Sequence, residues 1–151
     1  MNIRVLLADD HRLFREGLRS LIEEQPHMKV VAEAEDGRTA LQLAQTVSPD
    51  VVVMDISMPG MNGMEAALRI MCTAPGVKVL ALSMHADNRI VAEMLNAGAS
   101  GYLLKDCAFE ELIHAIYVVA KQGRYVSPKI NVPSDCLRRY RILLPRYLYG
   151  A

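Results

Sequence analysis

The chain is poor in cysteine and contains no long apolar run. Its three cysteines, Cys72, Cys107 and Cys136, lie far apart with no C-x-x-C pair. That pattern excludes a disulfide framework and a zinc site, and fits idle or buried thiols in a reducing cytoplasm. No stretch approaches the ~20 apolar residues of a membrane span, and the N-terminus MNIRVLLADD turns acidic too soon for a signal peptide. These absences predict a soluble, cytoplasmic protein with no membrane partner. An overall charge excess is also missing, but the balance conceals an asymmetry. Four of the 17 basic residues and one of the 17 acidic ones fall after residue 129, so the tail is net positive by three and the body net negative by three.

At 151 residues the chain can bury one full core without staples. Strand-like and helix-like segments alternate from residue 3 to about 122, which argues for an α/β fold around a parallel sheet. Strands are expected at Ile3-Ala8, Lys29-Glu35, Val51-Asp55, Lys78-Leu82 and Gly101-Leu104. Helical stripes follow them: Phe14, Leu18, Leu21, Ile22; Ala40, Leu43, Ala44, Val47; Met64, Ala67, Leu68, Met71; Ile90, Val91, Met94, Leu95; and Phe109, Leu112, Ile113, Ile116. Asp36, Asp87 and Asp106 stand where the second, fourth and fifth helices need N-caps, and Gly98 where the fourth should stop. Five right-handed β-α units predict a doubly wound, flavodoxin-like five-stranded parallel sheet of order 2-1-3-4-5, with its crevice beyond the carboxyl ends of the strands.

Polar residues gather at that rim. The first strand ends in Asp9 and Asp10, the third in Asp55, the fourth in Ser83 and the fifth in Lys105. Singly each has a bland explanation: a helix cap, a strand end, a solvated charge. Together the carboxylates repel one another and make an oxygen-lined site for a hard divalent cation such as Mg²⁺. Such an ion accepts one or two carboxylates, which leaves one acid free to react. Asp55, at the tip of the apolar run Val51-Val52-Val53-Met54, is the natural nucleophile for a phosphoryl group. Lys105 would offset charge and Ser83 could donate a hydrogen bond. His11 reads as a helix-start residue rather than a ligand. The methionines around Met54, Met58 and Met64 read as core and loop filling, and Glu33-Ala34-Glu35-Asp36 as a solvated strand end and cap.

Four segments, "VLLADDHRLFREGLRSLIE" at 5–23, "DVVVMDISMPGMNGMEA" at 50–66, "VKVLALSMHAD" at 77–87 and "GASGYLLKD" at 98–106, carry a resemblance. In that order they resemble a CheY-like receiver domain of two-component response regulators, more narrowly of the NarL/FixJ (LuxR-type) group. The resemblance implies that Asp55 is the phosphoacceptor, served by a sensor histidine kinase. It also implies a Mg²⁺ site in which Asp10 ligates directly, Asp9 acts partly through water, and Asp55 and the carbonyl of Ser57 complete the protein ligands. Ser83 takes the switch hydroxyl position, Tyr102 the switch aromatic position and Lys105 that of the family's lysine, while Pro59 and Gly63 shape the loop. It further implies a phosphoacceptor switch rather than a turnover enzyme. Homodimers would form through the face of the fourth helix, fifth strand and fifth helix, or through the first and fifth helices. By the same analogy His85 would tune the lifetime of the phosphoryl group.

Two rivals stand beside that reading. A haloacid-dehalogenase-type phosphohydrolase also uses an aspartyl nucleophile and Mg²⁺, but wants a second acid two residues on, where this chain has Ser57. An idle receiver acting as a dimerisation module would not need the intact acids, hydroxyl and lysine. The receiver unit is expected over residues 1–128. The remainder, 129–151, is a short basic and aromatic tail in place of a linker and helix-turn-helix domain, so DNA would be a partner only of a full-length parent. Its 22 residues after Lys129 fall below the ~40 a domain usually needs. Arg138, Arg139, Tyr140 and Arg141 could contact an anionic surface, could dock as a short helix, or could have no selected role after truncation or a frameshift.

Overall fold

The structure is a computed structural model, and it describes residues 2–58, 63–84 and 87–130. Residues 131–151 of the tail, Cys136 among them, and Pro59 and His85 lie outside the described residues. In chain order the elements are β1 (Ile3–Ala8), α1 (Arg12–Glu23), β2 (Met28–Ala34), α2 (Gly37–Val47), β3 (Val51–Asp55), α3 (Gly63–Thr73), β4 (Lys78–Ser83), α4 (Asn88–Ala97), β5 (Gly101–Leu104), α5 (Phe109–Ala120) and β6 (Tyr125–Val126). The sheet is parallel, in the order β2-β1-β3-β4-β5-β6. It carries the expected arrangement with a sixth, two-residue strand added beyond β5.

Period-two alternation distributes the apolar strands between two cores. Val5 and Leu7 of β1, with Val51 and Val53 of β3, pack under α1 and α5 against Leu18, Ile22, Leu112 and Ile116. Leu6, Val52 and Met54 point the other way, toward Ala40, Ala44, Ala66, Ile70 and Met94 of α2, α3 and α4. Every residue of β3 is buried, as a strand covered on both faces requires. A fully buried Val or Leu side chain is worth about 1.5–3 kcal/mol, so this double layer is what makes β3 a rigid post.

Capping agrees with the sequence at three ends of four. Asp36 accepts from the Thr39 amide at 2.8 Å, Asp87 accepts from Arg89 N–H, and Gly98 closes α4 at φ +116°, a left-handed conformation that favours glycine. Asp106 does not cap α5. A turn held by Cys107 N–H on the Leu104 carbonyl intervenes, Ala108 becomes the N-cap, and Glu110 and Glu111 supply negative charge to the first turn instead. Two stripes also differ in phase. In α3 the buried face is Gly63, Ala66, Ala67 and Ile70, with Met64, Leu68 and Met71 half-buried at its flanks, because small side chains let the helix lie close on the sheet. In α5 the face is Leu112, Ala115, Ile116, Val118 and Val119, and Phe109 is exposed.

Candidate functional site

β1 and β3 are neighbours with Ala8 beside Met54, so the residues that follow, Asp9 and Asp55, leave the sheet at adjacent points. Leu82 lies beside Asp55 and Ser83 beside Leu104, and Lys105 N–H donates to the Ser83 carbonyl at 2.8 Å. Four strand ends therefore deliver Asp9, Asp55, Ser83 and Lys105 to one rim. Asp55 is 1% exposed, Asp9 4% and Ser83 7%, while Asp10 is exposed.

Lys105 is the hub. Its Nζ lies 3.1 Å from Asp55 Oδ2, 2.9 Å from Asp9 Oδ2 and 3.0 Å from Asp9 Oδ1, of which only the last Asp9 oxygen is aligned as a hydrogen-bond acceptor. The ammonium also sits 4.8 Å from the centre of the Phe14 ring, a cation–π contact that fixes its stem. His11 Nδ1 is 2.7 Å from Lys105 Nζ, 3.3 Å from Asp9 Oδ1 and 3.4 Å from Asp10 Oδ1. Nδ1 accepts from Lys105 only in the tautomer that carries its proton on Nε2.

Asp55 is gripped from its own strand end. Ser57 N–H and Ser57 Oγ–H both donate to Asp55 Oδ1, at 2.9 and 2.7 Å, which leaves Oδ2 for the lysine. Burial pushes the Asp55 carboxyl up, but the Ser57 bonds and the Lys105 charge outweigh it and hold the group below its ordinary range. Ser57 was expected to matter through its carbonyl; its donors to Asp55 are a further role that the sequence did not announce. Gly63 completes the support, since a Cβ there would overlap the Asp55 carbonyl oxygen.

Tyr102 is fully buried between Ala81 and Val126 in the sheet. Burial raises its phenol above the ordinary value, and nearby Ser83 opposes that rise. Among the described residues, however, no partner meets hydrogen-bond geometry with the phenol oxygen.

Two features were not foreseen. Glu33 is no solvated strand end: it accepts from Arg15 Nε at 2.9 Å and pairs with Arg19. Arg15, on the buried face of α1 with Leu18 and Ile22, donates from Nη1 to the main-chain oxygen of Asp9 at 2.6 Å. The available signal was its spacing, because Arg15, Leu18 and Ile22 share one helical face.

The donor set suits a hard cation. One ligand atom from each of Asp9, Asp10, His11 and Asp55 can be chosen so that all lie within 4.8 Å of one another. Three carboxylates face a single ammonium, a balance that a divalent ion would neutralise, and exposed Asp10 leaves room for the waters that Mg²⁺ retains.

A family model for the response regulator receiver domain matches residues 5–117. The chain belongs to the response regulator receiver family. This receiver is 44% identical over 142 residues to the transcriptional regulatory protein DegU of Brevibacillus brevis, which is 94% of this chain and 59% of DegU. It is 42% identical over 128 residues to the response regulator UvrY of Escherichia coli strain K12, 85% of this chain and 59% of UvrY. The receiver thus spans about three-fifths of the length of the curated relatives it matches. A match of 142 residues is longer than the body up to Lys129, so the likeness to DegU runs into the tail. Among solved structures, the signal receiver domain of NarL from Mycobacterium tuberculosis superposes with a TM-score of 0.76 at 39% identity, covering 80% of this chain and 97% of that one. A LuxR-family two-component response regulator from Aurantimonas sp. SI85-9A1 gives 0.82 at 37%, covering 94% and 99%. The receiver is therefore of the LuxR/NarL type with a CheY-like fold. Its family consists of phosphoacceptor switches, generally not classical enzymes, that bind Mg²⁺ in an acidic pocket. The phosphohydrolase alternative is set aside.

Proposed function

We propose that this receiver accepts a phosphoryl group from a sensor histidine kinase on Asp55. One observation carries the reading: a buried, deprotonated carboxylate is held at a strand tip by Ser57 and Lys105, facing a second buried acid, Asp9. One Asp55 oxygen attacks phosphorus, a P–O bond forms as the P–N bond of phosphohistidine breaks, and the departing imidazole nitrogen keeps the electron pair and takes a proton. Asp9, Asp10, Asp55 and the Ser57 carbonyl would hold Mg²⁺, which when bound offsets phosphoryl charge. Lys105 neutralises charge on the product and Ser83 donates to a phosphoryl oxygen. Tyr102 is buried in the unmodified chain, and phosphorylation acts through it and Ser83 as a population shift rather than a new fold. The exposed apolar side chains Leu13 and Met84 beside His11 and Lys105 offer the phosphodonor protein a place to rest.

The output is control of transcription by a longer protein, in line with the printed descriptions of DegU and the LuxR-family relative, with pairing of receivers through α4-β5-α5 or α1-α5. Intact mass after treatment with acetyl phosphate tests the core of the proposal. With Mg²⁺ the chain gains one phosphate that hydroxylamine removes, and Asp55→Asn gains none. Equal labelling of the Asp55→Asn protein places the phosphate elsewhere and overturns the assignment.

A further inference from the structure

Asp10, the acid assigned to touch the metal, is exposed and gains little support from its own side chain. Its placement depends on the peptide before it. The residue before it is gripped on both sides: Asp9 N–H donates to the Ala34 carbonyl at 3.0 Å, which continues the β1-β2 ladder, and the Asp9 carbonyl, in the peptide that leads to Asp10, accepts from Arg15 Nη1 at 2.6 Å. Arg15 is 7% exposed and is itself fixed, with Nε on Glu33 Oε1 at 2.9 Å and Nη2 3.5 Å from Glu35 Oε1. Arg19 shares Glu33 and holds Glu23 at 2.7 Å, which ties the guanidinium to α1 and to the end of β2. A buried cation with a planar fork is suited to this task in a way that a point charge is not.

We infer that Arg15 is a positioning residue for the cation site, acting through the main-chain carbonyl of Asp9 to orient Asp10. The inference rests on the phosphoacceptor reading and deepens it. Two effects of removing Arg15 have opposite signs, which makes the inference testable. By Coulomb's law alone, loss of a nearby positive charge strengthens Mg²⁺ binding. Loss of the grip frees the Asp9-Asp10 peptide and weakens binding, and outer contacts of this kind commonly change metal affinity by about 10–100-fold.

The experiment is a Mg²⁺ titration of the whole chain, followed by backbone amide shifts, for the wild type, Arg15→Met and Arg15→Lys. Thermal unfolding is recorded for each. Arg4→Met serves as a destabilised control, because Arg4 holds the Val47 and Ser48 carbonyls at the far end of α2. Both Arg15 variants are expected to bind Mg²⁺ about tenfold more weakly, Arg15→Lys despite its retained charge, while Arg4→Met binds normally. If Arg15→Met does not fold, Arg15→Lys alone decides. Unchanged or tighter binding in a folded Arg15 variant overturns the inference and leaves the phosphoacceptor reading standing. A wild type that binds no Mg²⁺ overturns both.

Discussion

Lys105 carries an unusual electrostatic burden for one side chain. Only 6% exposed, it faces two carboxylates that are themselves buried. Removing one partner of such a cluster typically costs about 3–5 kcal/mol, since charge is left buried without an opposite. Lys105→Met is therefore expected to lower stability by about 3 kcal/mol at pH 7. The sign of the pH dependence follows from Asp55. Its carboxyl is held below the ordinary value of 3.8, so its stabilising contribution is present above that pH and is lost as pH falls through the lower folded value. In Lys105→Met the lysine's share of that lowering is gone, so the Asp55 carboxyl takes up its proton at a higher pH than in the wild type, and the deficit against wild type shrinks from pH 7 toward about pH 4. Mg²⁺ should recover part of the loss at pH 7 by replacing the missing positive charge. Urea midpoints at both pH values, with and without Mg²⁺, test this; a deficit independent of pH and metal would mean that Lys105 acts by packing alone.

Elements matter here through their ends. β3 ends in the carboxylate, and α3 begins against that same residue, with Gly63 so close to the Asp55 carbonyl that no side chain fits. The contact is backbone on backbone and has little room to relax. Gly63→Ala is expected to displace the start of α3 or the tip of β3, lowering stability by about 2 kcal/mol and slowing labelling of Asp55 by acetyl phosphate. Gly76, where an added Cβ would meet open space, is the comparison. Gly76→Ala should leave labelling unchanged, and equal labelling of the two variants would show that the close approach does not support the site.

At the scale of the whole molecule the folded unit runs past α5. β6 pairs Val126 with Tyr102, Ser127 N–H donates to the Tyr102 carbonyl at 3.0 Å, and Ile130 is buried in the same core as Tyr102 and Val126. The edge of β5 is covered, and Tyr102 shares its core with Val126 and Ile130 of the segment that follows α5. Ile130→Ala is expected to cost about 2 kcal/mol, the low end for a buried branched residue near an edge. A loss below about 0.5 kcal/mol, the scale of a surface substitution, would place the boundary of the core at α5 instead.

Element order, the two-sided burial of β3 and the residue types at the strand ends were legible in the sequence, because period-two and period-3.6 patterns and turn residues act locally. From that order the sheet topology followed, and with it the meeting of Asp9, Asp55, Ser83 and Lys105. Other features needed the assembled molecule. The phase of α3 depends on how closely its alanines let it approach the sheet, and the cap of α5 on a turn that displaced Asp106. Arg15 has no role that the sequence alone assigns. Its role exists only because β2 brings Glu33, and the chain after β1 brings the Asp9 carbonyl, to the same buried point. The sequence by itself determined which chemical groups this receiver has and the strand ends on which they stand. Tertiary structure decided which of them are dry, paired and held, because desolvation and hydrogen-bond geometry depend on neighbours that are distant along the chain.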